Sequence, residues 1–69
     1  MAELKKEDIK TGDMFSTQLR TNKTPSVCRC VENDVRHAYI LFDVIRGANP
    51  NSRLNRSYHD LTDVQSVAD

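Results

Sequence analysis

The sequence predicts a single mostly-β domain: a small barrel or strongly bent antiparallel sheet of four to five strands with a short N-terminal helical turn. Three observations predict it. The chain has 69 residues, enough for one small domain over 1–69 and too few for a second core or a two-domain cleft. Two runs rich in β-branched and aromatic residues, Val27 to Glu32 and Val35 to Arg46, are separated by Asn33-Asp34, and Asn and Asp tolerate the left-handed conformations that a two-residue hairpin turn requires. Turn-forming residues punctuate the rest, at Thr11-Gly12-Asp13 and at Gly47-Ala48-Asn49-Pro50-Asn51-Ser52.

Taken in order, residues 2–10 form one or two helical turns. Leu4 and Ile9 are their large apolar anchors, so the segment packs as a short lid. Gly12 supplies a positive φ for the turn that follows. Met14 to Leu19 is a strand with Phe15, Thr17 and Leu19 on one side, and Arg20 to Pro25 is a polar loop whose proline cannot donate to a central ladder. With the hairpin turning at Asn33-Asp34, Cys30 faces His37, Cys28 faces Tyr39 and Val27 faces Ile40. One face of the ribbon then carries Val27, Val31, Ala38, Ile40, Phe42 and Val44 as core. The other carries Cys28, Cys30, Val35, His37, Tyr39, Leu41 and Ile45, too apolar for open solvent, so the termini or another subunit cover it. Leu54 to His59 is a short strand, Asp60 to Asp63 a tight or single 3₁₀ turn, and Val64 to Val67 the last strand.

The run Ile9-Lys10-Thr11-Gly12-Asp13-Met14-Phe15, with a 3₁₀-like turn before the final strand, resembles the strand-opening pattern of the SH3-like small β-barrels. The likeness is at the level of the fold and covers most of the chain. The compact layout is also similar to that of the small accessory proteins with which phages counter host defences, which implies a sequestering, anti-defence role for a viral protein.

Apolar residues make up 38% of the chain and charged residues 29%, ordinary globular usage that excludes a disordered tail, and no apolar run approaches a membrane span. Ten basic and ten acidic residues cancel, so net charge points to neither nucleic acid nor a lipid surface. The charge is uneven nevertheless, with net values of minus one over 1–13, plus four over 14–56 and minus three over 57–69. Cys28 and Cys30 are the only cysteines. On an extended segment their Cα atoms stand roughly 6.5–7 Å apart, at the limit of bridging. Together with the polar start of the chain, this points to reduced thiols in the cytoplasm. A domain this small without a disulfide or strong metal motif draws stability from self-association, so a homo-oligomer is expected.

Four constellations carry possible chemistry. Arg46, Arg53 and Arg56, with Asn49, Asn51 and Ser52, supply guanidinium forks and small polar groups suited to phosphate. A nucleotide, cyclic nucleotide or nucleic acid fits that pattern, with Tyr58 or Tyr39 available to stack a base; the same composition also describes a solvated loop. Cys28, Cys30 and His37, with His59 as a fourth ligand, name a zinc set, but Cys-x-Cys alone is a weak signature and thiols packed beside an imidazole are commoner. The same cysteines with His37 or His59 and Asp60 name the parts of a nucleophilic triad, without a nucleophile turn or oxyanion loop. Finally Cys28, Tyr39, Leu41 and Ile45 form an apolar patch that either closes a barrel or meets another protein. The sequence therefore predicts no enzyme and no cofactor. It predicts a binding module that captures a phosphate-bearing ligand through its Arg/Asn-rich loop, with a protein-binding inhibitor or adaptor using the apolar face as the alternative.

Overall fold

The computed structural model describes residues 3–19, 24–47 and 50–67. A 3₁₀ turn (Lys6–Asp8) precedes β1 (Met14–Leu19), β2 (Ser26–Asp34), β3 (Tyr39–Arg46) and β4 (Arg53–Ser57); a second 3₁₀ turn (Tyr58–Asp60) leads into β5 (Leu61–Ser66). The five strands form one antiparallel sheet in the order β4-β3-β2-β1-β5. The sheet is open, with β4 and β5 at its edges, so of the two expected forms it is the bent sheet and not the closed barrel. Among the described residues no helix is long and apolar enough to cross a membrane.

The hairpin turns later than the sequence suggests. Asn33 and Asp34 are the last residues of β2, paired with Ile40 and Tyr39, and Val35–Ala38 makes the turn with Ala38 at φ 58°. Tertiary hydrogen bonds override the turn propensity of Asn33. Its Nδ2 donates to the carbonyls of Lys6 and Ile9, both at 2.8 Å, and its Oδ1 accepts the Tyr58 hydroxyl at 2.6 Å. Asp34 closes the turn from outside: its Oδ1 accepts the His37 amide at 3.2 Å, the Asx geometry favoured at turns.

A bulge then exchanges the faces of β2. Glu32 pairs with Leu41, but Cys30 pairs with Phe42, so Val31 is extra on β2, and one inserted residue reverses the inward set. Cys28 and Cys30 are consequently buried beside Ile40, Phe42 and Val44. Val27 and Val31 are only half-buried and Ala38 lies in the turn, so none of the three belongs to the fully buried core predicted for them. A second shift, between Val27 and Cys28, makes Ile45 extra on β3, and a third lies between Ser16 and Gln18 where β1 meets β5. There the Thr17 hydroxyl donates to Thr62 O at 2.9 Å and the Thr62 hydroxyl donates to Gln18 O at 2.8 Å.

These irregularities let one sheet enclose its own core. Phe15 and Phe42 lie on strands separated by β2, a separation of about 10 Å in a flat sheet. Their rings nonetheless meet edge to face with centroids 5.8 Å apart. Cys28 pairs with Phe15 and Cys30 with Phe42, and the short thiols between the rings leave room for that approach. Burial pushes the Cys28 thiol up to about 12 and raises Cys30 too, with Asp13 and Glu32 adding to the latter. Both thiols are thereby kept protonated at neutral pH. We expect both cysteines to resist alkylation in the native state and to be labelled together, at the rate of global unfolding; rapid labelling of either one in native protein would contradict the packing.

The N-terminal segment lies over the open end of the core. Ile9 is buried, Leu4 packs against the core, and the Leu4 amide donates to Val64 O at 3.0 Å. Glu3 bridges Gln65, so the β5 edge is partly covered.

Candidate functional site

The structure disperses the arginines proposed for phosphate. Arg53 lies on the outer face of β4, where Nε and Nη2 fork onto the Asp43 carboxylate at 2.8 and 3.2 Å. Arg56, three residues on, falls on the opposite face beside Leu54 by strand alternation, and its Nη1 donates to Asn55 O at 3.0 Å. Arg46 ends β3 in solvent opposite Val27. Asn51, at φ 67°, uses its amide to close the β3–β4 turn on Val44 O. Arg53 and Asn51 do share a shallow groove, but Asp43 lines it as well, so an anion there meets a carboxylate. The Tyr58 hydroxyl donates to Asn33 Oδ1 at 2.6 Å, and the residue packs half-buried against the core. Asn49 lies outside the described residues.

The cysteine and histidine sets also come apart. Cys28 and Cys30 are in the core, whereas His37 projects from the hairpin turn with Nδ1 2.8 Å from Asp34 Oδ2, and His59 is exposed on the second 3₁₀ turn. Among the described residues no group of three or more His, Cys, Asp or Glu side chains is placed to hold a metal. Buried, protonated thiols are equally unsuited to nucleophilic attack. Cys28 is fully buried, which corrects its assignment to the outer patch.

What remains together is the outer face of β2, β3 and β4. Tyr39 and Ile45 are 47% and 36% exposed, large values for residues in a sheet, with Leu41 half-buried between them. The register sets Tyr39 between Asp34 and Ser57, Leu41 between Glu32 and Asn55, and Asp43 between Arg29 and Arg53. An open groove of about 340 Å³ runs over the first two rows, lined by Glu32, Asp34, His37, Tyr39, Leu41 and Asn55. Val35, 51% exposed, stands in the turn nearby. Sequence reasoning found Tyr39, Leu41 and Ile45 but missed Glu32, Asp34 and Asn55, because their membership depends on the bulge at Val31 and on the β3–β4 register.

The hydrogen bond from Arg53 holds the Asp43 carboxyl below its ordinary range, helped by the charges of Arg53 and Arg29; the bond to His37 does the same for Asp34. A depressed folded-state pKa gives stability that is present above the unfolded value and lost as pH falls through the folded one. Stability is therefore expected to decline on acidification below about pH 4, and Asp43→Asn to remove part of that decline in acid-titrated denaturation curves. An unchanged acid limb in that variant would show that the exposed fork contributes nothing.

Compared with known proteins, the chain matches no family model, no curated protein and no solved structure.

Proposed function

We propose that the protein is a non-enzymatic binding module that docks another polypeptide on the outer face of β2–β4. The observation that carries this reading is the exposure of Tyr39 and Ile45 with Leu41 half-buried on the same face of β3, three large apolar side chains interrupted only by Asp43, where a solvated face would be mostly polar. Tyr39 is suited to anchoring, since it combines a large apolar ring with a polar tip. The acidic and amide rim of Glu32, Asp34 and Asn55 orients the partner. The module acts by capture, with no bond made or broken. Gly12-Asp13 opening into β1 and a single 3₁₀ turn leading into β5 support a place among the SH3-like small β folds. Phosphate capture is the less favoured reading, because Arg53 is already forked onto Asp43 and Arg56 lies across the sheet from it.

The test is capture of polypeptides from source-cell extract by immobilised protein. Leu41→Asp, which puts a charge in the middle of the stripe, is expected to lower retention at least about tenfold while leaving the fold intact. Arg53→Ala and raised salt are expected to change it little. If Arg53→Ala and salt abolish capture and Leu41→Asp does not, the arginine reading replaces this one.

A further inference from the structure

The outer face carries charge in an order that complements itself. Along β2 the outward positions run Asp34, Glu32 and then, past the bulge, Arg29; Arg46 adds a second guanidinium at the far end of β3. Asp34 is hydrogen-bonded to His37, and Asp43 is paired with Arg53. Arg29 acts on Asp43 through its field, and among the described residues neither Glu32 nor Arg29 has an ion-pair partner. The face therefore has Glu32 beside Leu41 toward the hairpin end and Arg29 beside Asp43 in the next row, with Tyr39 on the hairpin side of this pair and Ile45 beyond it.

We propose that in the isolated protein this face is occupied by a second copy of the chain, in a two-fold dimer that sets Glu32 of each copy against Arg29 of the other. The inference rests on the docking reading and adds its regulation: the copies mask one another's docking stripe, and a partner polypeptide must displace one of them. A two-fold axis lying between the sheets and perpendicular to the strands reverses the rows. The hairpin end of one copy then lies over the far end of the other, with Tyr39 over Ile45 of the second copy and Leu41 over its Asp43, whose charge is already held by Arg53. Aligned sheets pack in this way, and a two-fold contact must be self-complementary; a face bearing a single sign of charge is not. A 69-residue chain with one single-layer sheet also has much to gain from covering the stripe. The Cα extents of 27 × 22 Å limit the footprint to roughly 600 Å² per copy, below the usual share of a stable interface. The dimer is therefore weak and exchangeable, as a removable mask requires.

Sedimentation equilibrium of the full chain at low ionic strength, up to about 0.5 mM and well above a micromolar Kd, tests this. The expected result is a reversible monomer–dimer equilibrium. Glu32→Arg and Arg29→Glu each weaken it at least about tenfold, and the two together in one chain restore it, with circular dichroism showing the sheet unchanged in all three. A monomer at every concentration, single reversals without effect, or a double reversal no better than the singles would each overturn the proposal. The two readings fail separately. A monomeric protein whose polypeptide capture is still lost in Leu41→Asp removes the self-masking and keeps docking. A dimer that shows the charge rescue but captures nothing keeps the self-association and removes docking.

Discussion

Asn33→Ala is expected to bring the domain close to its unfolding threshold. The side chain joins three separate parts of the chain: it donates to Lys6 O and Ile9 O under the N-terminal turn, and accepts from Tyr58 at the entrance to β5. Lys6 closes the circuit, its Nζ donating to Tyr58 O at 2.7 Å. Alanine leaves two carbonyls and a phenol without that partner. Each net hydrogen bond contributes about 1 kcal/mol, and more where a half-buried group cannot regain water. A loss of about 3 kcal/mol follows, against a total of about 3–5 kcal/mol for a domain of this size. Tyr58→Phe removes one of the three bonds and should cost about 1 kcal/mol. In the Asn33→Ala background the same change should cost almost nothing, because the bond it deletes is already gone. Urea denaturation of the four proteins measures this cycle. An Asn33→Ala variant within about 0.5 kcal/mol of the parent, or additive losses, would show that the amide is not the hub.

How much of this was legible in the sequence depends on where a local signal agreed with tertiary structure. Alternation in Met14–Leu19 placed Phe15, Thr17 and Leu19 on one side, and that side is the buried one. The inward set of β3 was also readable, since Ile40, Phe42 and Val44 alternate without interruption. The β2 face was not. Val31 carries no mark of a bulge, and a β-branched residue there looks like core. Asn33-Asp34 has the composition of a hairpin turn, yet Asn33 is worth more bonded to Lys6, Ile9 and Tyr58, contacts 24 to 27 residues distant that a local window does not contain. The start of β5 was missed for a similar reason: Leu61 reads as part of a turn but is fully buried against β1, paired with Leu19. At the candidate site the apolar stripe was visible as a surplus face. Its acidic rim and the neutralisation of Arg53 by Asp43 followed only from strand register.

Gly47→Ala is expected to cost about 2–4 kcal/mol, from two sources that can be separated. Gly47 has φ 121°, a region where an L side chain is strained by about 1–3 kcal/mol. A Cβ there would also lie 2.7 Å from Ser26 Oγ, 3.1 Å from Ser26 Cα and 3.2 Å from Ser26 Cβ. Ser26 is fully buried at the start of β2, and among the described residues its hydroxyl has no hydrogen-bond partner. Ser26→Ala alone deletes an unpartnered buried hydroxyl and should be neutral or stabilising by up to about 1 kcal/mol. Combined with Gly47→Ala it removes the closest contact but leaves those to Cα and Cβ, which alanine keeps, and the unfavourable φ. The double variant should therefore recover part of the loss and no more. The expected order of stability runs from Ser26→Ala, at or above the parent, through the double variant to Gly47→Ala. Urea midpoints of all four proteins give the coupling directly, since two sites in contact need not add. A Gly47→Ala protein as stable as the parent would mean that the β3–β4 connection leaves Ser26 more room than the geometry allows. Full recovery in the double variant would assign the whole cost to the hydroxyl contact and none to the backbone.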